Sequence, residues 1–331
     1  MQTPREIVRA AIEFTGPQRI PVMFDCFGKS DVKDVGWNQT GTGDRNKRLD
    51  YDEWNCGWGR TQVDNMGQVV IHPINNWNDL EVYRWPTPDN PDYYAGMENK
   101  FSGTGNYYIN TGIFMLLFER MHALRGFENL LADLYLEREN IEKLADRIVD
   151  YNLRIIDNIA SRFPNQIDGF SFTDDWGTET ALFIDPKLWR EFFKPRYKRI
   201  FDAAHTAGWH VWMHSCGKVN AILGDLHEIG CNVVNLQQPL ALGIEEVGEL
   251  YAGKLCFSSL CDIQHTLPYK DADEIGAEAK LIIDCWGTDE GGLIFSDYGD
   301  GAAIGVPIET KKIMFDAFMK YDRWKSPLNK P

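Results

Sequence analysis

A histidine and a cysteine two residues apart close a hydrophobic run in "HVWMHSCGKV", residues 210–219. On an extended chain, positions i and i+2 project to the same side, so His214 and Cys216 share a face. An imidazole nitrogen and a thiolate on one face are two of the ligands that a zinc ion takes. The same pattern also describes a packed His–Cys pair beside a glycine turn, and spacing alone leaves both readings open. A third donor has to come from elsewhere in the chain.

Other polar residues follow short apolar runs in the same way. "GFSF" leads into Asp174, Asp175 and Glu179; "VVNL" into Gln237 and Gln238; "CFSSL" into Cys261, Asp262 and Gln264. "LIFS" leads into Asp297, Tyr298 and Asp300, and "PVMF" into Asp25 and Cys26. Carboxylates in that number can ligate a metal, move a proton or orient a ligand. Asp174, Asp175 and Tyr298 are therefore candidates for catalysis. Asp25, Glu179, Gln237 and Gln238 are candidates for holding a substrate.

These residues can act together only if the ends of the runs converge. From residue 167 onward, strand-like runs alternate with helical ones. "IDGFSF" (167–172), "HVWMHS" (210–215), "NVVNLQ" (232–237), "KLCFSSL" (254–260) and "GLIFSD" (292–297) read as strands. Segments 185–208, 219–230, 243–253, 271–287 and 307–321 have helical periodicity between them, the first with Asp185 and Pro186 at its start. Repeated strand–helix units with short loops imply a parallel sheet with right-handed crossovers. Five such strands in the C-terminal half favour an α/β fold of the (β/α)8 TIM-barrel type, which gathers strand exits at one mouth. Segment 116–163 reads as two or three helices, and residues 3–15 as another. The expected organisation is a single barrel domain over 1–331, loop-rich over 1–105 and regular over 106–331. No GxGxxG follows a strand, so dinucleotide binding has no support.

Composition removes several partner classes. A formal net charge of −15 argues against nucleic acid and against an anionic membrane surface. No run of about 18 apolar residues could span a bilayer. Seven irregularly spaced cysteines fit reduced thiols and a cytoplasmic setting. The 11 tryptophans, 13 tyrosines and 18 phenylalanines suit a flat ligand or a large aromatic core.

The stretch "TDDWGTETALFIDPKLWREFFKPRYKRIFDAAHTAGWHVWMHSCGKV" resembles the uroporphyrinogen decarboxylase superfamily. "EIGCNVVNLQQP", "DIQHTLP", "GGLIFSDYGDG" and "LRGFENLLADL" extend the likeness over roughly residues 110–320, closest to the branch of cobalamin (corrinoid)-dependent methyltransferases. The resemblance implies a (β/α)8 barrel. True decarboxylases carry an arginine-bearing segment after the first strand; here that place reads "PVMFDCFGKSDV", which speaks against a porphyrinogen substrate. The methyltransferases bind zinc through His-x-Cys and a late cysteine. His214 and Cys216 supply the first two, but "SDYGDG" stands where the late cysteine would fall. Cys261 is the preferred third ligand, with Cys256, Asp297 and Asp300 as alternatives. Cys26 and Cys231 rank below them, and Cys285 reads as packing.

Two activities follow from the resemblance. One moves a methyl group from a small donor to the cobalt of a separate corrinoid protein, and the aromatic N-terminal loops favour an aryl methyl ether as donor, an O-demethylase component. Asp175 would then supply a proton. The other moves a methyl group from methylcobalamin to a thiol of the coenzyme M type. Nothing in the chain resembles the separate corrinoid-binding domain that carries the cobalt in these systems, so the resemblance implies that the corrinoid comes on a partner protein. A homodimer stays open, as does a silent barrel that only binds a tetrapyrrole or aromatic ligand.

Overall fold

The computed structural model describes residues 1–39, 41–61, 65–299 and 301–324. Eight parallel strands form its centre. They are β1 (Val22–Phe24), β2 (Val32–Asp34), β3 (Tyr108–Ile113), β4 (Gly169–Thr173), β5 (His210–His214), β6 (Val233–Leu236), β7 (Cys256–Ser259) and β8 (Leu293–Ser296). Pairing runs β1–β8–β7–β6–β5–β4–β3–β2, the near-closed ring of a distorted TIM barrel. Around it lie α2 (Phe118–Arg125), α3 (Phe127–Leu136), α4 (Arg138–Arg162), α5 (Lys194–Thr206), α6 (Asn220–Glu228), α7 (Ile244–Tyr251), α8 (Ala272–Trp286) and α9 (Ile308–Tyr321), after an N-terminal α1 (Pro4–Ile12). No helix among the described residues is long and apolar enough to cross a membrane.

The strands expected from residue 167 onward all form, within two residues of their expected ends. Segment 116–163 resolves into α2, α3 and α4, and Asp185 caps its helix by accepting from the Lys187 N–H. The first hundred residues hold more order than their turn-rich composition suggests. β2 is present, and Leu49–Tyr51, Gly57–Gly59 and Gln68–Ile71 form a small antiparallel sheet. That excursion docks on α2. Arg120 binds Asp52 at 2.8 Å with both side chains buried, and the Cys56 thiol donates to the Ala123 carbonyl at 3.4 Å.

The ring's seam lies between β1 and β2. Lys29–Ser30 runs back antiparallel along β1, and Asp31 then bridges the gap. Its N–H donates to the Val22 carbonyl at 2.7 Å, and its carboxylate accepts the Val22 N–H at 2.8 Å. The Arg19 guanidinium holds the same carboxylate at 2.7 Å.

Inside the ring, one inward step along each of six strands changes the chemistry. Val32, Tyr108, Trp212, Val233, Cys256 and Ile294 pack with Val8, Ala11 and Ile12 of α1 in one buried cluster. Two residues further along the same strands, Asp34, Asn110, His214, Asn235, Ser258 and Ser296 line an open cavity. The barrel thus has an apolar floor and a polar mouth. α1 forms the floor, begun by a Thr3–Glu6 capping box with Pro4 in its first turn. Arg5 and Arg9 reach Asp168 at 2.8 and 3.3 Å, and Glu13 reaches His210 at 3.1 Å.

Replacing Asp31 by alanine leaves the Val22 N–H and Arg19 without their acceptor. The expected cost is about 2 kcal/mol, the scale of hydrogen bonds to a charged group. Urea unfolding of the Asp31→Ala protein measures it; an unchanged midpoint would show that the seam does not depend on this residue.

Candidate metal centre

Beyond β4 and β5, the two chain segments continue side by side. The Asp174 N–H donates to the His214 carbonyl at 3.1 Å, Gly177 N–H to Cys216 carbonyl at 3.2 Å, and Lys218 N–H to Thr178 carbonyl at 2.7 Å. Glycines make this approach possible. A Cβ on Gly217, which has φ of +80°, would collide with the Gly177 carbonyl, and a Cβ on Gly177 would lie 2.7 Å from the Lys218 nitrogen.

The paired segments bring three donor side chains together. Asp175 accepts the Cys216 N–H at 2.8 Å, and its carboxylate lies 3.5 Å from His214 Nε2. The Cys216 sulfur is also 3.5 Å from Nε2. One ligand atom from each of Asp175, His214 and Cys216 lies within 4.8 Å of the others, so the three can hold one ion. His214 is set for this. Asn235 donates its amide N–H to the Ser258 carbonyl at 3.1 Å, which leaves its oxygen to face His214 Nδ1 at 2.7 Å. Nδ1 therefore carries the proton, and the Nε2 lone pair faces the thiol and the carboxylate. Burial, reinforced by the nearby Asp175 charge, pushes the Cys216 thiol far up, so its thiolate needs a cation beside it.

Asp174 works elsewhere. It is fully buried and accepts the N–H groups of Leu117, Phe118 and Glu119 at 3.0, 2.8 and 2.6 Å, together with the Tyr197 hydroxyl. It thus anchors the start of α2, and the expectation that it takes part in catalysis does not match its position. Burial raises its carboxyl while these donors pull it back. Glu119 sits beside the pair and was not singled out by its sequence, since helical position hides it. Burial, then the charges of Asp175 and Asp174, holds its carboxyl well above the ordinary range.

The other expected site residues separate into two sets. Asp25, Gln237, Asp297 and Cys26 line the mouth with His214. Gln238 is buried behind it, accepting the Gly217 N–H at 2.5 Å. Glu179 is exposed in the turn after Gly177. Tyr298 borders a groove beside the small sheet, outside the mouth. Cys261, expected as third ligand, is fully buried and donates to the Ile275 carbonyl of α8 at 3.6 Å. It stands at a strand exit but faces outward under the helix, and Asp175 occupies the third position instead. Cys256 faces inward but belongs to the floor cluster. Cys231 is buried and donates to the Val233 carbonyl, and Cys285 lies on α8. Asp300 lies outside the described residues.

The mouth is a cavity of about 590 Å³. Its polar wall includes Asp34, Asn110, Ser171, Asn235, Ser258 and Ser296, which the strand-exit reading missed because they lie within strands. The available signal was the polar residue two places after an inward apolar one. The aromatic residues expected to wall a flat ligand do not line it. Trp37, Trp54, Trp58 and Tyr108 are buried in packing, and Trp212 is the aromatic residue at the cavity's base besides Phe172.

Comparison with known proteins matches residues 110–321 to the family model described as uroporphyrinogen decarboxylase (URO-D). The chain belongs to the uroporphyrinogen decarboxylase family. The family match takes in β3 to β8 and the whole Asp175–His214–Cys216 group. The chain is similar to the methylcobamide:CoM methyltransferase MtaA of Methanosarcina barkeri, 26% identical over 144 residues. That match covers 42% of this chain and 38% of the relative, so the chain matches well under two thirds of the relative's length. In three dimensions it is similar to a methyltransferase from Methanosarcina mazei. The TM-score is 0.69 at 16% identity, covering 97% of this chain and 99% of the other, a likeness of fold.

Alanine at Asp175, His214 or Cys216 is expected to abolish stoichiometric metal binding without unfolding the barrel, whereas Cys261→Ser leaves metal content unchanged. Metal analysis with circular dichroism checks both. Since the Cys216 proton must leave when an ion binds, apparent affinity should rise as pH rises, by about tenfold per unit while the free thiol stays protonated. A pH-independent affinity would exclude the thiolate as ligand.

Proposed function

We propose that this chain catalyses methyl transfer at the barrel mouth, between a small substrate and a corrinoid carried on a separate protein, assisted by a zinc ion at Asp175, His214 and Cys216. The observation that carries the reading is the convergence of those three donors beside the cavity. One thiolate, one imidazole and one carboxylate suit zinc and leave a position for substrate. The methyltransferases to which the chain is similar support the reaction class.

Bound there, zinc supplies Lewis acidity to the heteroatom that gives or takes the methyl group. The partner's corrinoid supplies the cobalt. This chain's residues do the rest. Asn235 keeps His214 in its ligating tautomer, and Asp175 ties the Cys216 backbone to the centre while offering its carboxylate. Glu119, whose carboxyl is pushed up by burial and by the neighbouring acids, lies behind Asp175 and accepts from the Thr173 hydroxyl at 3.4 Å, a position from which it can supply a proton. A carboxylate in place of a second thiolate leaves more positive charge on the metal. That favours polarising a methyl donor over activating a thiol, so transfer from donor to corrinoid is the first reading and transfer to a thiol the second.

An aryl ether donor, favoured by the aromatic loops, loses that support because Trp37, Trp54, Trp58, Trp77, Tyr107 and Tyr108 do not line the cavity. Decarboxylation of a porphyrinogen is disfavoured because, among the described residues, no lysine or arginine lines the mouth to hold its carboxylates. All seven cysteines are unpaired thiols, in keeping with the cytoplasm as the setting.

The test mixes zinc-loaded protein with a corrinoid protein reduced to Co(I) and a panel of methylated amines, ethers and thioethers. Formation of methyl-cobalt is followed in the visible spectrum. His214→Ala and Glu119→Gln should each slow it, the latter by on the order of 10²-fold for donors with poor leaving groups. Equal rates in wild type and His214→Ala would overturn the reading.

A further inference from the structure

The mouth carries a charge pattern that the metal group does not account for. Asp25, Asp34 and Asp297 all face the cavity, and among the described residues its lining includes no lysine or arginine. Lys311 pairs with Asp297 from behind at 2.9 Å and also donates to the Tyr298 carbonyl, so Asp297 is compensated and the excess negative charge of the mouth rests on Asp34 and Asp25. Lys33 lies 3.8 Å from Asp25 at the open rim, where such a contact contributes little.

Two further observations point to a ligand rather than to a merely acidic surface. Ser296 is 4% exposed, lines the cavity and has a hydroxyl without a hydrogen-bond partner among the described residues. Trp212 supplies an aromatic ring at the same base. Carboxylates around an aromatic ring attract an organic cation through charge and the ring's quadrupole together. A bare metal ion does not fit this place. Among the described residues, Asp175–His214–Cys216 is the group of three donors close enough to share one ion, and the three acids of the mouth do not converge that tightly.

We propose that the substrate held in this mouth is an organic cation, an alkylammonium compound whose charged head lies beside Asp34 and Asp25 while its other end reaches the Asp175–His214–Cys216 group. The reacting end rests on the function proposed above; recognition of the head does not. A cavity of about 590 Å³ has ample room for a trimethylammonium group. Low-dielectric walls strengthen the attraction over that of a flat surface. The same walls repel methoxybenzoates and sulfonated thiols.

Isothermal titration with choline, tetramethylammonium, 3,3-dimethyl-1-butanol (the neutral isostere of choline) and 4-methoxybenzoate tests this. Wild type should bind choline at least about tenfold more tightly than its isostere, the effect of one partly screened charge contact. Asp34→Asn and the exposed Asp25→Asn should each shrink that ratio while leaving isostere binding unchanged. His214→Ala should keep the ratio even though it loses metal, so a failure of the metal reading is seen separately. Equal binding of choline and its isostere, tighter binding of 4-methoxybenzoate, or no binding of either ammonium compound at millimolar concentration would overturn the proposal.

Discussion

Main chain touches main chain where the segments after β4 and β5 meet, and the candidate centre depends on that contact. Gly177 and Gly217 have no side chains to keep the backbones apart, so three hydrogen bonds form between the segments. Asp175 and Cys216 then become neighbours across a ladder instead of members of two independent loops. Loop side chains ordinarily lose considerable entropy when ordered around an ion. Here the backbone has already fixed two of the three donors, and β5 fixes the third.

The adjacent acids Asp174 and Asp175 divide the work of holding that centre. One turns inward to anchor the N-terminal end of α2, where unsatisfied N–H groups and the helix dipole favour a carboxylate. The other turns toward Cys216. Through the first, α2 is locked to the strand that carries the second, and Glu119 is drawn beside both. The excursion over residues 35–107 reinforces the same helix through the buried Asp52–Arg120 pair. Breaking that pair would leave a charge uncompensated in the core.

The barrel was legible because its period is regular: short apolar runs, glycine or proline punctuation and amphipathic helices repeat from residue 167 to the end. His214 and Cys216 were legible because their spacing is local. Asp175 was visible as an acid but not as a ligand, since its partner lies 41 positions away and the contact is made by backbone pairing. Cys261 misled for a related reason. Distance from the strand end says how high a residue sits, while parity decides whether it faces the cavity or the helix layer. Glycine- and proline-rich composition likewise concealed β2 and the small sheet, where pairing with distant residues outweighs local propensity.

The closed floor of the barrel has a kinetic meaning. Val8, Ala11 and Ile12 plug one end, and Asp168 and His210 latch the helix that bears them. On the proposed function, in which a small substrate and a corrinoid protein meet at the mouth, a closed floor imposes an order of arrival on the two. The smaller must enter before the larger covers the opening, and it cannot depart until the larger has moved away. Turnover in such a vessel is first in, last out, and uncovering the doorway can limit its pace as readily as bond-making does.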